Sequence, residues 1–146
     1  MFNKTNRNRK TTEIMESLFI KYDQALELKE LGFDEPCFAF FWNTGKFYTC
    51  GDYPHTISYH TQNQLGDYNL DSTSAPLYQQ AVKFIRDKYN LCYAIDPYDD
   101  GTYDYTIFNP YITDEEDFEE GPYKTYEEAE QACLVKLIVI SKGLKK

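Results

Sequence analysis

Apolar positions change their spacing several times along this chain, and each change predicts an element. Between residues 12 and 22, Ile14, Leu18 and Tyr22 recur at helical intervals, although the neighbours Phe19 and Ile20 would equally open a strand. A helix follows from an N-cap at Asp23, with Ala25, Leu28 and Leu31 toward one side and Leu26 nearby. Gly32 ends it, because glycine takes a left-handed C-terminal cap without a steric penalty, and Phe33 then folds back onto the last turn. Residues 37–42 and 46–50 read as two strands closing on Asn43, Thr44 and Gly45. Phe38, Phe40 and Trp42 share one face of the first strand, and Cys37, Ala39 and Phe41 share the other, so both faces are expected to be covered. Residues 51–74 hold only scattered apolar positions, which predicts either a short strand near 56–60 or a working loop.

The second half repeats this grammar. Ser74 is placed as the cap of a helix with Ala75 and Pro76 in its first turn and a stripe of Leu77, Ala81, Phe84, Ile85 and Tyr89. Residues 91–96 and 103–109 form a second hairpin around Asp99, Asp100 and Gly101, with Tyr103, Tyr105 and Ile107 on one face. Pro110 and the acidic residues after it are expected to leave the sheet. Thr125 and Glu128 make a capping box for a last helix, largely buried, that carries Ala129, Ala132, Cys133, Leu134, Lys136, Leu137 and Ile138, with Val139 or Ile140 continuing the spacing. The expected fold class is α+β: two antiparallel hairpins joined in one four-stranded sheet and packed with about three helices. Helix plus hairpin occurs twice, which suggests a duplicated unit.

Composition narrows the class. A chain of 146 residues is long enough for one domain with a core of its own, assigned to residues 11–146 behind a basic flexible tail at 1–10 that carries Lys4, Arg7, Arg9 and Lys10. Fourteen Tyr and ten Phe favour strands and amphipathic surfaces. A net charge of -9 disfavours direct nucleic-acid binding, which draws on clustered Lys and Arg, and favours a basic protein partner. Cys37, Cys50, Cys92 and Cys133 are scattered without a CxxC pair and read as free thiols. Neither a signal segment nor an apolar run long enough for a membrane helix is read in the sequence, so the expectation is a cytoplasmic protein that does not engage a membrane.

Three segments carry a family resemblance: Ala25-Leu26-Glu27-Leu28-Lys29-Glu30-Leu31-Gly32-Phe33-Asp34-Glu35-Pro36-Cys37; Ala75-Pro76-Leu77-Tyr78-Gln79-Gln80 with Phe84-Ile85-Arg86-Asp87-Lys88-Tyr89-Asn90 after them; and Tyr126-Glu127-Glu128-Ala129-Glu130-Gln131-Ala132. In that order they resemble a family of small uncharacterised proteins from gut Bacteroides-type bacteria and their phages, over roughly residues 19–142. Tyr78 and Phe84-Ile85 stand where members of the family often carry Trp. The resemblance brings no activity, cofactor or catalytic residue. It implies an accessory or host-interaction role.

Among candidate chemistries, Cys50, His55 and His60 are close in sequence, with Asp52 or Asp67 as a conceivable further ligand, but their spacing matches no zinc pattern. As a nucleophile and base, Cys50 and His60 lack a visible orienting group and oxyanion hole. Asp96, Asp100, Gly101 and Asp104 fall at calcium-loop positions, yet Tyr98 and Ile107 occupy places where ligands belong, so a hairpin turn is preferred. Neither a catalytic residue, a metal site nor a cofactor is assigned. The segment 96–120 is different in kind: it holds ten Asp or Glu, no Lys or Arg, and six aromatics. Tyr111, Asp114, Glu115, Glu116, Asp117, Phe118, Glu119 and Glu120 are therefore the candidate protein-binding residues, charge speeding encounter and the rings anchoring the complex. One form of this reading is imitation of nucleic-acid phosphates. The alternatives are a small hydrolase-like enzyme using carboxylates or the Cys50/His60 region, and a mainly structural domain.

Overall fold

The computed structural model describes residues 13, 15–49, 62, 71–112 and 117–144. The chain divides into two units, Met1–Ala81 and Val82–Lys146.

In the first unit, helix α1 (Tyr22–Glu30) has its N-cap at Lys21, two residues ahead of the predicted cap: the N–H of Lys21 donates to Oε1 of Gln24 at 3.0 Å, and Asp23 lies inside the first turn. A side-chain acceptor three residues on satisfies an N–H that the helix itself cannot. Its far end is as predicted. Gly32 sits at φ 89°, its N–H donates to the carbonyl of Lys29 at 3.0 Å, and the N–H of Phe33 donates to Leu28 at 3.0 Å, which buries the Phe33 ring. Ala25, Leu28 and Leu31 face the core, whereas Leu26 is exposed. Phe19 takes part in an isolated antiparallel bridge with Leu77, so the strand-like alternative holds at that residue.

Strands β1 (Ala39–Trp42) and β2 (Phe47–Thr49) form the predicted hairpin around Gly45 at φ 81°, with Phe40 opposite Tyr48 and their rings stacked at 5.8 Å. The third strand was not expected. β3 (Ser72–Ser74) pairs antiparallel with β1, Phe41 opposite Thr73, giving the order β2-β1-β3. Ser74 is thus a strand residue rather than a helix cap. The N–H of Asn43 reaches the carbonyl of Asp71 and that of Ala75 reaches Ala39, so β3 turns these groups toward β1 and points the carbonyl of Ser72 and the N–H of Ser74 the other way. Both are met by the Gln62 side chain, whose Nε2 donates to Ser72 at 3.1 Å and whose Oε1 accepts from Ser74 at 2.8 Å. The proposed strand at 56–60 lies outside the described residues.

Helix α2 (Tyr78–Tyr89) spans the division between the units and starts later than predicted, Leu77 donating its N–H to Oε1 of Gln80 at 3.0 Å. Its Ala81 and Ile85 are buried as expected, joined by Tyr78 and Val82, while Leu77, Phe84 and Tyr89 are only half-buried.

The second unit contains β4 (Cys92–Pro97), β5 (Tyr103–Phe108) and β6 (Phe118–Tyr123), in that order and antiparallel throughout. β4 and β5 are the predicted hairpin, turning at Gly101. β6 corrects the expectation that the acidic segment leaves the sheet: Phe118 pairs with Ile107, Glu119 with Thr106 and Glu120 with Tyr105. Helix α3 (Tyr126–Leu144) is capped as predicted at Thr125, whose Oγ1 accepts from the N–H of Glu128 at 3.1 Å, while the Glu128 carboxylate reaches back to the N–H of Lys124. α3 packs on all three strands and buries Ala129, Cys133, Leu134, Leu137 and Ile138, with Val135 and Val139 exposed.

The architecture is α+β with two three-stranded antiparallel sheets, in place of the single four-stranded sheet expected. Each predicted hairpin recruited a third strand of its own. The strand orders also differ, since the leading hairpin strand is central in the first sheet and peripheral in the second, so the two units do not share one strand plan. No helix among the described residues is long and apolar enough to cross a membrane.

Candidate functional site

Strand alternation gives the second sheet two unlike faces. Tyr103, Tyr105 and Ile107 share the face covered by α3: the Tyr126 ring meets Tyr103 edge-on at 6.0 Å, and Lys136 places its ammonium 3.9 Å from the centre of the Phe118 ring beside them. Asp104, between two tyrosines, must point to the other face. There its register partner is Asp96 on β4, and Glu119 lies on the neighbouring strand. Like charges opposite one another in a sheet oppose pairing, so this face is held by what surrounds them.

An open concavity of about 610 Å³ occupies that end of the sheet, with Tyr98, Asp100, Asp104, Glu119, Gly121 and Pro122 in its wall. Asp104 is only 5% exposed. One carboxylate oxygen, Oδ2, accepts a hydrogen bond from the Tyr98 hydroxyl, whose pKa this bond pushes up to about 12. The other, Oδ1, is sealed from solvent and has no hydrogen-bond partner among the described residues. Gly121 is what admits the group: a Cβ there would fall 2.6 Å from Asp104 Cβ and 3.0 Å from its Cα. The Gly121–Pro122 bond is cis. Glu119 lines the same concavity, and its carboxyl neighbour Asp104 raises its pKa from the usual carboxylate value. Asp100 is held below that range by the hydroxyl and N–H of Thr102.

Glu120 has a different task. Its Oε2 accepts from the buried Tyr105 hydroxyl at 3.0 Å, and its Oε1 accepts from Tyr123 at 3.0 Å. Burial first, and the Glu120 acceptor second, raise the pKa of both tyrosines. Phe118 is half-buried between Lys136 and Tyr105, Asp117 is exposed, and Tyr111 is 77% exposed beside an exposed Ile112. Asp114, Glu115 and Glu116 lie outside the described residues, as do Cys50, His55 and His60. Of the predicted binding residues, then, Tyr111, Asp117, Glu119 and Glu120 are exposed, Glu120 also tying Tyr105 and Tyr123 to the edge strand, while Phe118 is half-buried. Asp104, Tyr98 and Gly121 were not among those residues. The signal for them was an Asp flanked by Tyr103 and Tyr105, a strand position that sequence statistics disfavour.

The calcium-loop positions fall on a β-hairpin, with Asp96 and Asp104 opposite one another on its strands and Asp100 in the turn. Among the described residues no group of three or more His, Cys, Asp or Glu is arranged to hold a metal ion. Cys37, Cys92 and Cys133 are free thiols. Comparison with family models, curated proteins and solved structures gives no match, so any functional reading rests on this geometry.

Proposed function

We propose that this chain is a non-catalytic accessory protein that binds a basic partner protein through the acidic-aromatic surface of its second unit. The observation that carries the reading is the concavity, whose described wall holds Asp100, Asp104, Glu119 and Glu120 without a Lys or Arg, with the exposed Tyr98 ring in that wall as an apolar anchor. Its net charge favours a protein over a nucleic acid as the direct ligand, and imitation of phosphates is one form the recognition takes. The resemblance of three sequence blocks to a family from Bacteroides-type bacteria and their phages fits such an accessory role in the cytoplasm. Hydrolytic use of the carboxylates is the weaker alternative, because Asp104 has one oxygen engaged by Tyr98 and the other closed to solvent.

The test is capture from a lysate of the source cell by wild-type protein and by a variant with Asp114, Glu115, Glu116 and Asp117 changed to their amides, followed by affinity measurement on the purified partner. Glu120 is left intact because it holds Tyr105 and Tyr123. A basic partner bound at least about tenfold more weakly by the folded variant, with a shallower salt dependence, is expected. Equal affinity and equal salt dependence would remove the 114–117 run from the binding surface, and an added Glu119→Gln change that is equally silent would remove the concavity with it.

A further inference from the structure

Each three-stranded sheet has two edge strands, and the four differ in what they expose. The outer side of β3 is met by Gln62. β2 is half-buried throughout, and β4 is half-buried from Cys92 to Ile95 before it reaches Pro97, which has no N–H to donate. β6 is exposed from Glu119 to Pro122. The N–H of Tyr98 donates to the carbonyl of Thr102 at 2.8 Å, which fixes the alternation along the β4–β5 hairpin: Asp104, Thr106 and Phe108 turn their peptide groups toward β4, and Tyr105 and Ile107 turn theirs toward β6. Glu120 and Phe118, opposite those two, have their peptide groups engaged inside the sheet. Glu119 between them points its N–H and carbonyl outward, and the same alternation brings Asp117, exposed just before the strand, to that side. Among the described residues no hydrogen bond meets these outward groups.

We propose that this edge receives an extended basic segment of the partner as a fourth antiparallel strand, with Lys or Arg at every second position. The inference rests on the binding role argued above and specifies how the partner is held. In strand addition the main chain supplies the hold and the alternate side chains supply the choice. Residues bonded to Glu119 and Asp117 lie directly opposite them and turn their side chains to the same face, the one on which Asp104 and Asp96 also lie. The intervening residues turn to the face of Phe118, where Lys136 already places an ammonium over the ring, so uncharged β-branched residues suit them. A second copy of this chain is a poor occupant, because β6 against β6 sets acid beside acid. Pro122 confines the addition to the acidic end of the edge, since it has no N–H with which to extend the ladder.

The experiment uses the full chain and fluorescein-labelled, end-blocked peptides followed by anisotropy. One peptide alternates lysine with threonine and valine, and a second of the same composition carries its lysines in one block. The alternating peptide is expected to bind about tenfold more tightly, whereas attraction of charge alone gives equal affinity. Backbone N-methylation then separates the two edges of the peptide. On the lysines it removes the donors that face Glu119 and Asp117 and should weaken binding about tenfold, and on the intervening residues it should leave binding near the parent value. On the protein, amide hydrogen exchange at Glu119 and Asp117 should slow about tenfold when the alternating peptide is bound, with Phe118 and Glu120 unchanged. Glu119→Pro, which lacks the outward N–H, should bind more weakly than Glu119→Gln, and the methylated peptides carry the test on the unaltered chain if the proline variant fails to fold. No binding of the alternating peptide, equal binding of the two methylated peptides, or self-association of the chain through β6 overturns the added strand. Capture of a partner that depends on the acidic run and Glu119, without exchange protection at Glu119, would keep the binding surface and remove only the strand.

Discussion

The two sheets have the same number of strands and opposite economies of space. In the first, Ala39, Phe40 and Phe41 are all buried although successive side chains point to opposite faces, and Ser72, Thr73 and Ser74 are buried as well. In the second, Tyr105 and Ile107 are buried against half-buried Thr106 and Phe108, Asp104 alone of the described β5 residues is buried toward the other face, and most of β6 is exposed. A sheet enclosed on both faces has no place for unpaired charge, so its polar side chains are hydroxyls that need no counterion. A sheet packed on one face has a second surface to use, and there the chain places Asp96, Asp104 and Glu119.

Truncation should expose this contrast most strongly in β1. Phe40→Ala and Phe41→Ala are each expected to lose about 3–5 kcal/mol in reversible denaturation, neighbours on opposite faces costing alike. A loss under about 1 kcal/mol for either residue would show one face of the first sheet to be open. The same scan along β5 should produce a sawtooth: about 2–5 kcal/mol for Ile107→Ala and about 0.5 kcal/mol or less for Thr106→Ala. Equal costs at these two positions would erase the difference between the sheets.

Smaller effects separate the roles of adjacent acids. Glu120→Ala leaves the buried Tyr105 hydroxyl without its acceptor and is expected to cost about 1–3 kcal/mol, whereas Glu119→Ala should leave the fold nearly as stable as wild type. Thermal unfolding of the two variants side by side checks the order, and a reversal would move the structural duty to Glu119. The subtlest test is the pH profile. Asp104 raises the pKa of Glu119 in the folded chain, so this contribution to stability is full below the unfolded carboxylate range and disappears as pH rises through the elevated folded value. The stability of wild type relative to Asp104→Asn should therefore decline across that window. A difference independent of pH would show that Asp104 does not act on the Glu119 carboxyl.

Much of the frame was legible because local chemistry agreed with the final packing. Gly32 and Phe33 close α1, Gly45 and Gly101 turn the hairpins, and Thr125 caps α3, each for a reason contained within a few residues. The two added strands were not legible, because neither looks like one. Ser72–Ser74 offers three hydroxyl residues where apolar alternation was sought, and its pairing is decided by β1, thirty or so positions earlier. Phe118–Tyr123 reads as charge followed by Gly-Pro, and only the distant partners Ile107 and Tyr105 reveal that Phe118 and Glu120 belong on the packed face. The acidic run disclosed the sign of the candidate surface, whereas the concavity depends on a turn, a middle strand and an edge strand meeting at Tyr98, Asp104 and Gly121.

Gln62 gives the first sheet a property that concerns solubility. The outward carbonyl of Ser72 and N–H of Ser74 are spaced as a template for one more strand, and exposed templates of this kind invite a second chain to add itself edge to edge. The Gln62 amide presents an N–H and a carbonyl oxygen side by side, as one residue of an adjacent strand would, so a single side chain satisfies that site and has no further strand to offer. The template is answered by a terminator, and growth of the sheet past these two groups is blocked at the level of one residue.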